Sequence, residues 1–266
     1  MRSILFVPTN KEKYIQKAAN LKLDILAFDL EDSILENEYY PSIDNIRRYF
    51  GMTHGQAKIF IRIDPRYYEE QINDTRSFGI DGYIVPKVEG AIIPQYISSF
   101  DTRFKQMLLF ESVKGFSELE NVVAVSKGIY ALGFGGEDFC LDLNCERNET
   151  NFLYPRLKVL MCGKLHNILT FDTVYPFYDD AEGFAKELRY AISMGFDGKM
   201  LIHPIQLEVL EKVETKNMDE YKKIIDEFEK SVRNGNSVLK YRGRIYERNH
   251  IRKFKEMLKK GGDENV

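Results

Sequence analysis

The sequence predicts a (β/α)₈ barrel on three observations: eight short apolar runs, helical spacing in the intervals between them, and polar residues where the runs end. The chain has 266 residues, close to the ~250 of a closed α/β barrel. Apolar residues make up 44% of it, enough for a full core. Unbroken apolar runs of this length suit strands covered on both faces, as in a parallel sheet wrapped by helices.

In order, the runs are residues 4–7, 25–28, 59–61, 83–85, 107–110, 129–132, 168–171 and 200–202. Helical spacing occupies 11–21, 43–50, 116–125, 152–165 and 181–194. Strand followed by helix, eight times over, is the barrel pattern. An open doubly wound sheet is the alternative, but Pro8-Thr9-Asn10 stands where such a sheet carries Gly-x-Gly-x-x-Gly. Beyond the eighth run, 207–213 and 218–232 read as helices, Arg233-Asn234-Gly235-Asn236 breaks the pattern, and a last helix begins near His250. Residues 1–213 are therefore expected to form the barrel. Residues 214–266 are expected to be a helical extension of the same domain, placed to cover a neighbouring subunit or to lid the pocket.

The 38 basic and 41 acidic side chains leave a net charge of −3, which gives no field for gripping nucleic acid. The basic run 253–260 carries Phe254 and Leu258 at helical spacing, the mark of a surface helix with one buried stripe. No apolar stretch reaches the ~20 residues of a membrane span, and the run 4–7, stopped by Pro8, reads as a strand rather than a signal peptide. Three cysteines, Cys140, Cys145 and Cys162, with no Cys-x-x-Cys pair, fit a reduced cytoplasmic compartment. A metal pair of Cys140 and Cys145 lacks a third soft ligand nearby.

Position is the informative signal. Strand two ends in Asp29-Leu30-Glu31-Asp32, strand three in Arg62 and Asp64, strand four in Lys87 and Glu89, and strand five in Glu111. Strand six ends in Gly133-Phe134-Gly135-Gly136-Glu137-Asp138, strand seven at Asp172 and strand eight at His203. The C-terminal ends of barrel strands are where such folds keep their chemistry. Several carboxylates at one mouth repel unless a cation joins them. Oxygen ligands without a His or Cys cluster favour a hard ion, Mg²⁺ or Mn²⁺, held by one or two carboxylates plus water and substrate. Arg62 offers a planar fork for a substrate carboxylate. Such a pocket suits an α-hydroxy or α-keto acid. Structural readings stand beside these: Asp32 as a helix cap, Arg62 paired with Asp29 or Glu31, Lys87 paired with Glu89, and Asp172 and His203 bracing the mouth. Tyr39-Tyr40 and Tyr67-Tyr68 read as packing over loops.

Several segments resemble, in order and spacing, the citrate lyase beta-subunit-like family of the HpcH/HpaI aldolase/citrate lyase superfamily. They are Arg2-Ser3-Ile4-Leu5-Phe6-Val7-Pro8, Asp29-Leu30-Glu31-Asp32-Ser33, Ile61-Arg62-Ile63-Asp64, Val85-Pro86-Lys87-Val88-Glu89 and Phe110-Glu111-Ser112. Gly133-Phe134-Gly135-Gly136-Glu137-Asp138-Phe139, Asp172-Thr173-Val174-Tyr175 and Gly195-Phe196-Asp197-Gly198-Lys199-Met200-Leu201-Ile202-His203-Pro204 continue the match, which spans about residues 1–210. The resemblance implies a barrel of the phosphoenolpyruvate/pyruvate superfamily type, often a homotrimer. It implies a Mg²⁺-dependent carbon–carbon lyase acting on acyl-CoA or acyl-carrier thioesters of hydroxy acids. Glu111 and Asp138 would be the metal ligands, and Arg62 the carboxylate clamp. Glu31 and Asp32 would hold metal-bound waters. Arg62, Glu31, Glu111 and, from its own place at the end of strand four, Lys87 are the candidate substrate-binding residues; Arg62, Asp32 and Glu247 are the candidate catalytic ones, and Arg156 would be structural or near the thioester. Where the family carries a Gly-x-Met-Val-Asp segment with a proton-transferring aspartate, this chain has Tyr241-Arg242-Gly243-Arg244-Ile245-Tyr246-Glu247. Glu247 would then act as acid or base, with its carboxyl displaced by about 1 Å. An aldolase for a free 2-keto acid, and a metal- and keto-acid-binding homologue without turnover, remain the other readings.

Overall fold

The computed structural model describes residues 1–52, 55–90, 103–126 and 128–262. The chain divides into two compact units, Arg2–Leu207 and the residues from Glu208 onward together with Met1.

The first unit is a closed, all-parallel barrel of eight strands in chain order: β1 Arg2–Pro8, β2 Ile25–Asp29, β3 Lys58–Arg62, β4 Gly82–Val85, β5 Lys105–Phe110, β6 Ile129–Phe134, β7 Leu169–Asp172 and β8 Gly198–Leu201. Closure by β1 against β8 rules out the open sheet. Each strand matches one of the eight apolar runs within a few residues. Helices Glu12–Ala18, Tyr39–Phe50, Val113–Val125, Glu149–His166 and Ala181–Met194 fall where helical spacing placed them. The helix expected between β4 and β5 falls on residues outside the described set.

Among the described residues, two α-helices escape the periodicity. Tyr68–Thr75 buries only Gln71, Ile72 and Thr75, so one aliphatic residue marks its inner face. Gly136–Leu143 follows β6 directly and reads in sequence as a glycine-rich strand end.

Strand side chains alternate inward and outward. The inward set fills the barrel with Ile4, Phe6, Ile25, Ala27, Phe60, Ile84, Met107, Leu109, Ala131, Phe171 and Met200. A filled barrel has no through-channel. Counting on by two from the top of this layer gives Pro8, Asp29, Arg62, Glu111, Thr173 and Ile202, the next inward positions at the C-terminal end.

The second unit corrects the sequence reading. The tail begins not with two helices but with one, Pro204–Arg233, because no glycine or internal proline interrupts it. A hairpin follows, β9 Leu239–Tyr241 and β10 Arg244–Tyr246, antiparallel. Its two-residue turn, Arg242-Gly243, takes φ +49° and +78°, the double left-handed turn that matches the twist of paired strands. Helix Arg248–Gly262 closes the unit, and Ile224, Ile225, Phe228, Leu239, Tyr246 and Ile251 form its core.

Candidate functional site

The inward positions above the apolar layer line a cavity of about 350 Å³ at the C-terminal mouth of the barrel. Phe6, Leu109 and Met200 floor it; Asp29, Arg62, Glu111, Gly135, Thr173 and Ile202 wall it; Asp32, Glu137 and Asp138 rim it. Register explains the arrangement. Asp29 pairs with Arg62 across β2 and β3, so both side chains share the inner face. There Arg62 donates from Nε and Nη2 to the two Asp29 oxygens at 2.7 and 2.6 Å. Its Nη1 lies 3.1 Å from Glu31 Oε2, and its guanidinium rests 5.1 Å over the Phe6 ring. The sequence alternatives for Arg62 thus coincide: it is ion-paired and it lines the cavity.

Glu31 is buried, with Lys87 Nζ at 2.8 Å from Oε1. Each Glu31 oxygen is thus held by one cation as an ion pair, with no further hydrogen-bond donor to it. Lys87 pairs with Glu31 and Asp32 (3.1 Å), not with Glu89, which instead binds Lys114 and Ser112. Lys87 also has φ +51°, a left-handed conformation that costs a side-chain-bearing residue about 1–2 kcal/mol. That conformation lets its backbone N–H donate to Glu111 Oε2 at 2.8 Å while its ammonium reaches Glu31.

Glu111 fits only because residue 135 has no side chain. A β-carbon at Gly135 would sit 2.7 Å from Glu111 Cδ and closer still to Cγ and Oε1. Asp138 lies in the first turn of helix Gly136–Leu143, whose Gly136 N–H donates to Thr173 Oγ1 at 2.8 Å.

Five carboxylates (Asp29, Glu31, Asp32, Glu111, Asp138) therefore face two cations (Arg62, Lys87) in this group. The imbalance appears in their acidities. Burial raises Asp29, but the Arg62 charge and hydrogen bonds hold it below the usual carboxylate range. Burial pushes Glu31 up to about 8 against Arg62, and Glu111 adds to the rise. Burial likewise pushes Glu111 up to about 7 against Arg62, with Asp138 pushing it further. Excess negative charge, buried carboxylates of raised pKa and oxygen-only donors fit a hard divalent cation. Among the described residues no three His, Cys, Asp or Glu side chains form a ready-made metal cluster. Two carboxylates plus water and substrate is the count expected for Mg²⁺.

Other sequence candidates fall elsewhere. Asp172 sits one position off the inward parity and points behind the wall. There Arg156 donates to it from Nε and Nη2 at 2.7 and 3.0 Å, and Lys199 from Nζ at 2.7 Å. Lys199 also holds Glu187 (2.6 Å), and Glu187 holds Arg147, which reaches Glu137 at 2.7 Å. Arg156 is structural. His203 Nδ1 accepts from the Ile205 N–H at 3.3 Å, at the start of Pro204–Arg233. Glu247 is exposed in the second unit, where its carbonyl accepts from the His250 and Ile251 N–H groups and starts the last helix. Tyr39 and Tyr40, expected to pack over loops, instead open helix Tyr39–Phe50 and donate to Asp74 and Glu70 of helix Tyr68–Thr75. Cys140 and Cys145 hold sulfurs 3.6 Å apart, and burial and the second thiol push Cys140 up to about 12. Sequence reasoning passed over Gly135 and Thr173 as wall residues; counting by two from Phe171 finds Thr173.

Fold and mouth together define an α/β barrel with a carboxylate-rich, arginine-bearing cavity at the C-terminal ends of its strands. The profile of the HpcH/HpaI aldolase/citrate lyase family matches residues 2–204, and the chain belongs to that family. It is 26% identical to citrate lyase subunit beta of Leuconostoc mesenteroides subsp. cremoris, covering 97% of this chain and 92% of that protein. It is 28% identical to a (3S)-malyl-CoA thioesterase of Cereibacter sphaeroides, covering 97% and 94%. Among solved structures, CitE of Mycobacterium tuberculosis, in complex with magnesium, acetoacetate and coenzyme A, superposes with a TM-score of 0.78. It is 20% identical, and 98% of each chain is covered.

Proposed function

We propose that the protein is a Mg²⁺-dependent carbon–carbon lyase that cleaves a hydroxy-acid thioester, of citryl or malyl type, to a keto acid. The observation that carries this is that Glu111 and Asp138 line one cavity with a fixed Arg62, and that this cavity has more carboxylates than cations. Glu111 and Asp138 would hold the metal, with Glu31 and Asp32 as acceptors for its water. The chemistry such an ion would supply is Lewis-acid charge that lowers the pKa of a substrate hydroxyl. Arg62, locked by Asp29, orients the substrate carboxylate, and Lys87 neutralises charge at the rim. Asp32, on the rim of the cavity, receives the substrate's hydroxyl proton, and departure of that proton drives retro-aldol cleavage to a keto acid and a thioester enolate. Glu247, supplied by an adjacent copy of the chain, protonates the enolate.

Self-association is supported by helix Glu149–His166, which is apolar on both sides. Phe152, Val159 and Leu160 face inward, while Leu153, Leu157, Met161 and Leu165 form an exposed stripe at intervals of four. A helix apolar all round is one that is covered all round; in the reading drawn from the resemblance, the assembly is a trimer.

The thioesterase relative favours a second reading, hydrolysis of the thioester bond instead of the carbon–carbon bond. Product analysis separates the two, since a lyase releases a keto acid and a thioesterase the intact hydroxy acid. Asp138→Ala is expected to abolish Mg²⁺ binding by calorimetry and cleavage with it. Full activity in that variant would end the scheme.

A further inference from the structure

We propose that Cys140 and Cys145 form a modification site, closing reversibly into a disulfide under a peroxide-class oxidant and stapling the end of helix Gly136–Leu143 to the loop after it. The backbone supplies the geometry. Asn144 ends the helix in the left-handed conformation at φ +54°. The Cys145 N–H donates to the Cys140 carbonyl at 3.0 Å, and the Asn144 N–H to the Leu141 carbonyl at 3.3 Å. These two bonds define a Schellman ending, which ordinarily places an apolar contact between the two residues it joins. Here that contact is thiol on thiol, Sγ to Sγ at 3.6 Å.

Any two apolar residues would close the motif, and two cysteines there can do more. A main-chain hydrogen bond from one to the other fixes their separation, so the sulfurs need only travel from 3.6 Å to a bonded distance of about 2.05 Å. Both side chains are half-buried and within reach of a small oxidant, whereas Cys162 is buried on helix Glu149–His166. One thiol is oxidised by hydrogen peroxide to a sulfenic acid, releasing one water. The neighbouring sulfur then attacks it, forming the S–S bond and releasing a second water. Two electrons and two hydrogens leave the protein, and one peroxide becomes two waters. A thiol reductant reverses the step. Reducing compartments tolerate disulfides of this transient, sensing kind.

The test treats the reduced full-length chain with hydrogen peroxide, alkylates the remaining thiols and maps the peptides. The expected result is joint loss of two of the three thiols, a crosslinked peptide carrying Cys140 and Cys145, and recovery of both with dithiothreitol. In Cys140→Ser and Cys145→Ser, the remaining partner is expected to stop at a sulfenic acid that dimedone traps. Alkylation of all three thiols after peroxide, a link through Cys162, or a link only between two chains would each overturn the proposal. If a serine variant fails to fold by circular dichroism, the peptide map of the parent chain decides alone.

Discussion

Gly135→Ala isolates the placement of one carboxylate. Gly135 has φ −91° and ψ 91°, angles alanine tolerates, so the backbone need not move. The added β-carbon, however, would lie 2.7 Å from Glu111 Cδ and nearer to Cγ and Oε1. Ordinary contact requires the carboxylate to withdraw by about 1 Å, and it cannot do so freely, because Oε2 is held by the Lys87 N–H at 2.8 Å. Overpacking of this kind costs about 1–3 kcal/mol of stability, and a misplacement of about 1 Å at a reacting centre costs about 10²-fold. Calorimetric titration with Mg²⁺ is expected to show affinity ~10–100-fold weaker than the parent, with a cooperative thermal transition still present. A parent-like isotherm in a folded variant would refute the argument that Glu111 holds the metal from this position.

Three further outcomes follow from the same geometry. Glu111 titrates near 7 and Glu31 near 8 in the metal-free fold, both above their unfolded values. The folded state thus binds more protons between the two sets of values, and stability falls as pH rises through that window. Mg²⁺ must displace the Glu111 proton, so its affinity is expected to rise about tenfold from pH 6 to pH 8, with buffer-dependent heat in calorimetry; a pH-independent constant contradicts this. Glu247→Gln is expected to lower kcat by ~10²-fold or more without changing the thermal midpoint, because the side chain is exposed and the helix start uses its carbonyl. Unchanged turnover removes Glu247 from the chemistry. Met161→Glu, in the middle of the exposed stripe, is expected to reduce the mass in sedimentation equilibrium to the 31.1 kDa of one chain. A parent that already sediments at that mass refutes self-association.

Most of the barrel was legible because a strand buried on both faces leaves an unbroken apolar run, and eight such runs survive without any alignment. The missed helix Tyr68–Thr75 shows the limit: with Ile72 its one buried aliphatic, periodicity has almost nothing to count. The tail was misread at Glu214-Thr215-Lys216-Asn217, where polarity imitates a break although no residue there forbids a helix. The hairpin was invisible because Arg242-Gly243 replaces the usual asparagine-glycine signal. At the site, the type and strand-end position of Asp29, Glu31, Arg62 and Glu111 could be read directly. Partners could not. That Lys87 reaches Glu31 rather than Glu89 depends on a left-handed residue after β4, and that Asp172 faces away depends on the parity of β7.

That parity has a further consequence. Behind the wall, Asp172 and Glu187 are held by Lys199, Arg156 and Arg147, and Arg147 reaches on to Glu137 at the rim, three carboxylates against three cations. Self-balanced, this outer lattice asks nothing of solution, while the inner group is left short of positive charge. Substrate preference can therefore drift by exchanging mouth residues one at a time, without unsettling the rivets that keep the staves together.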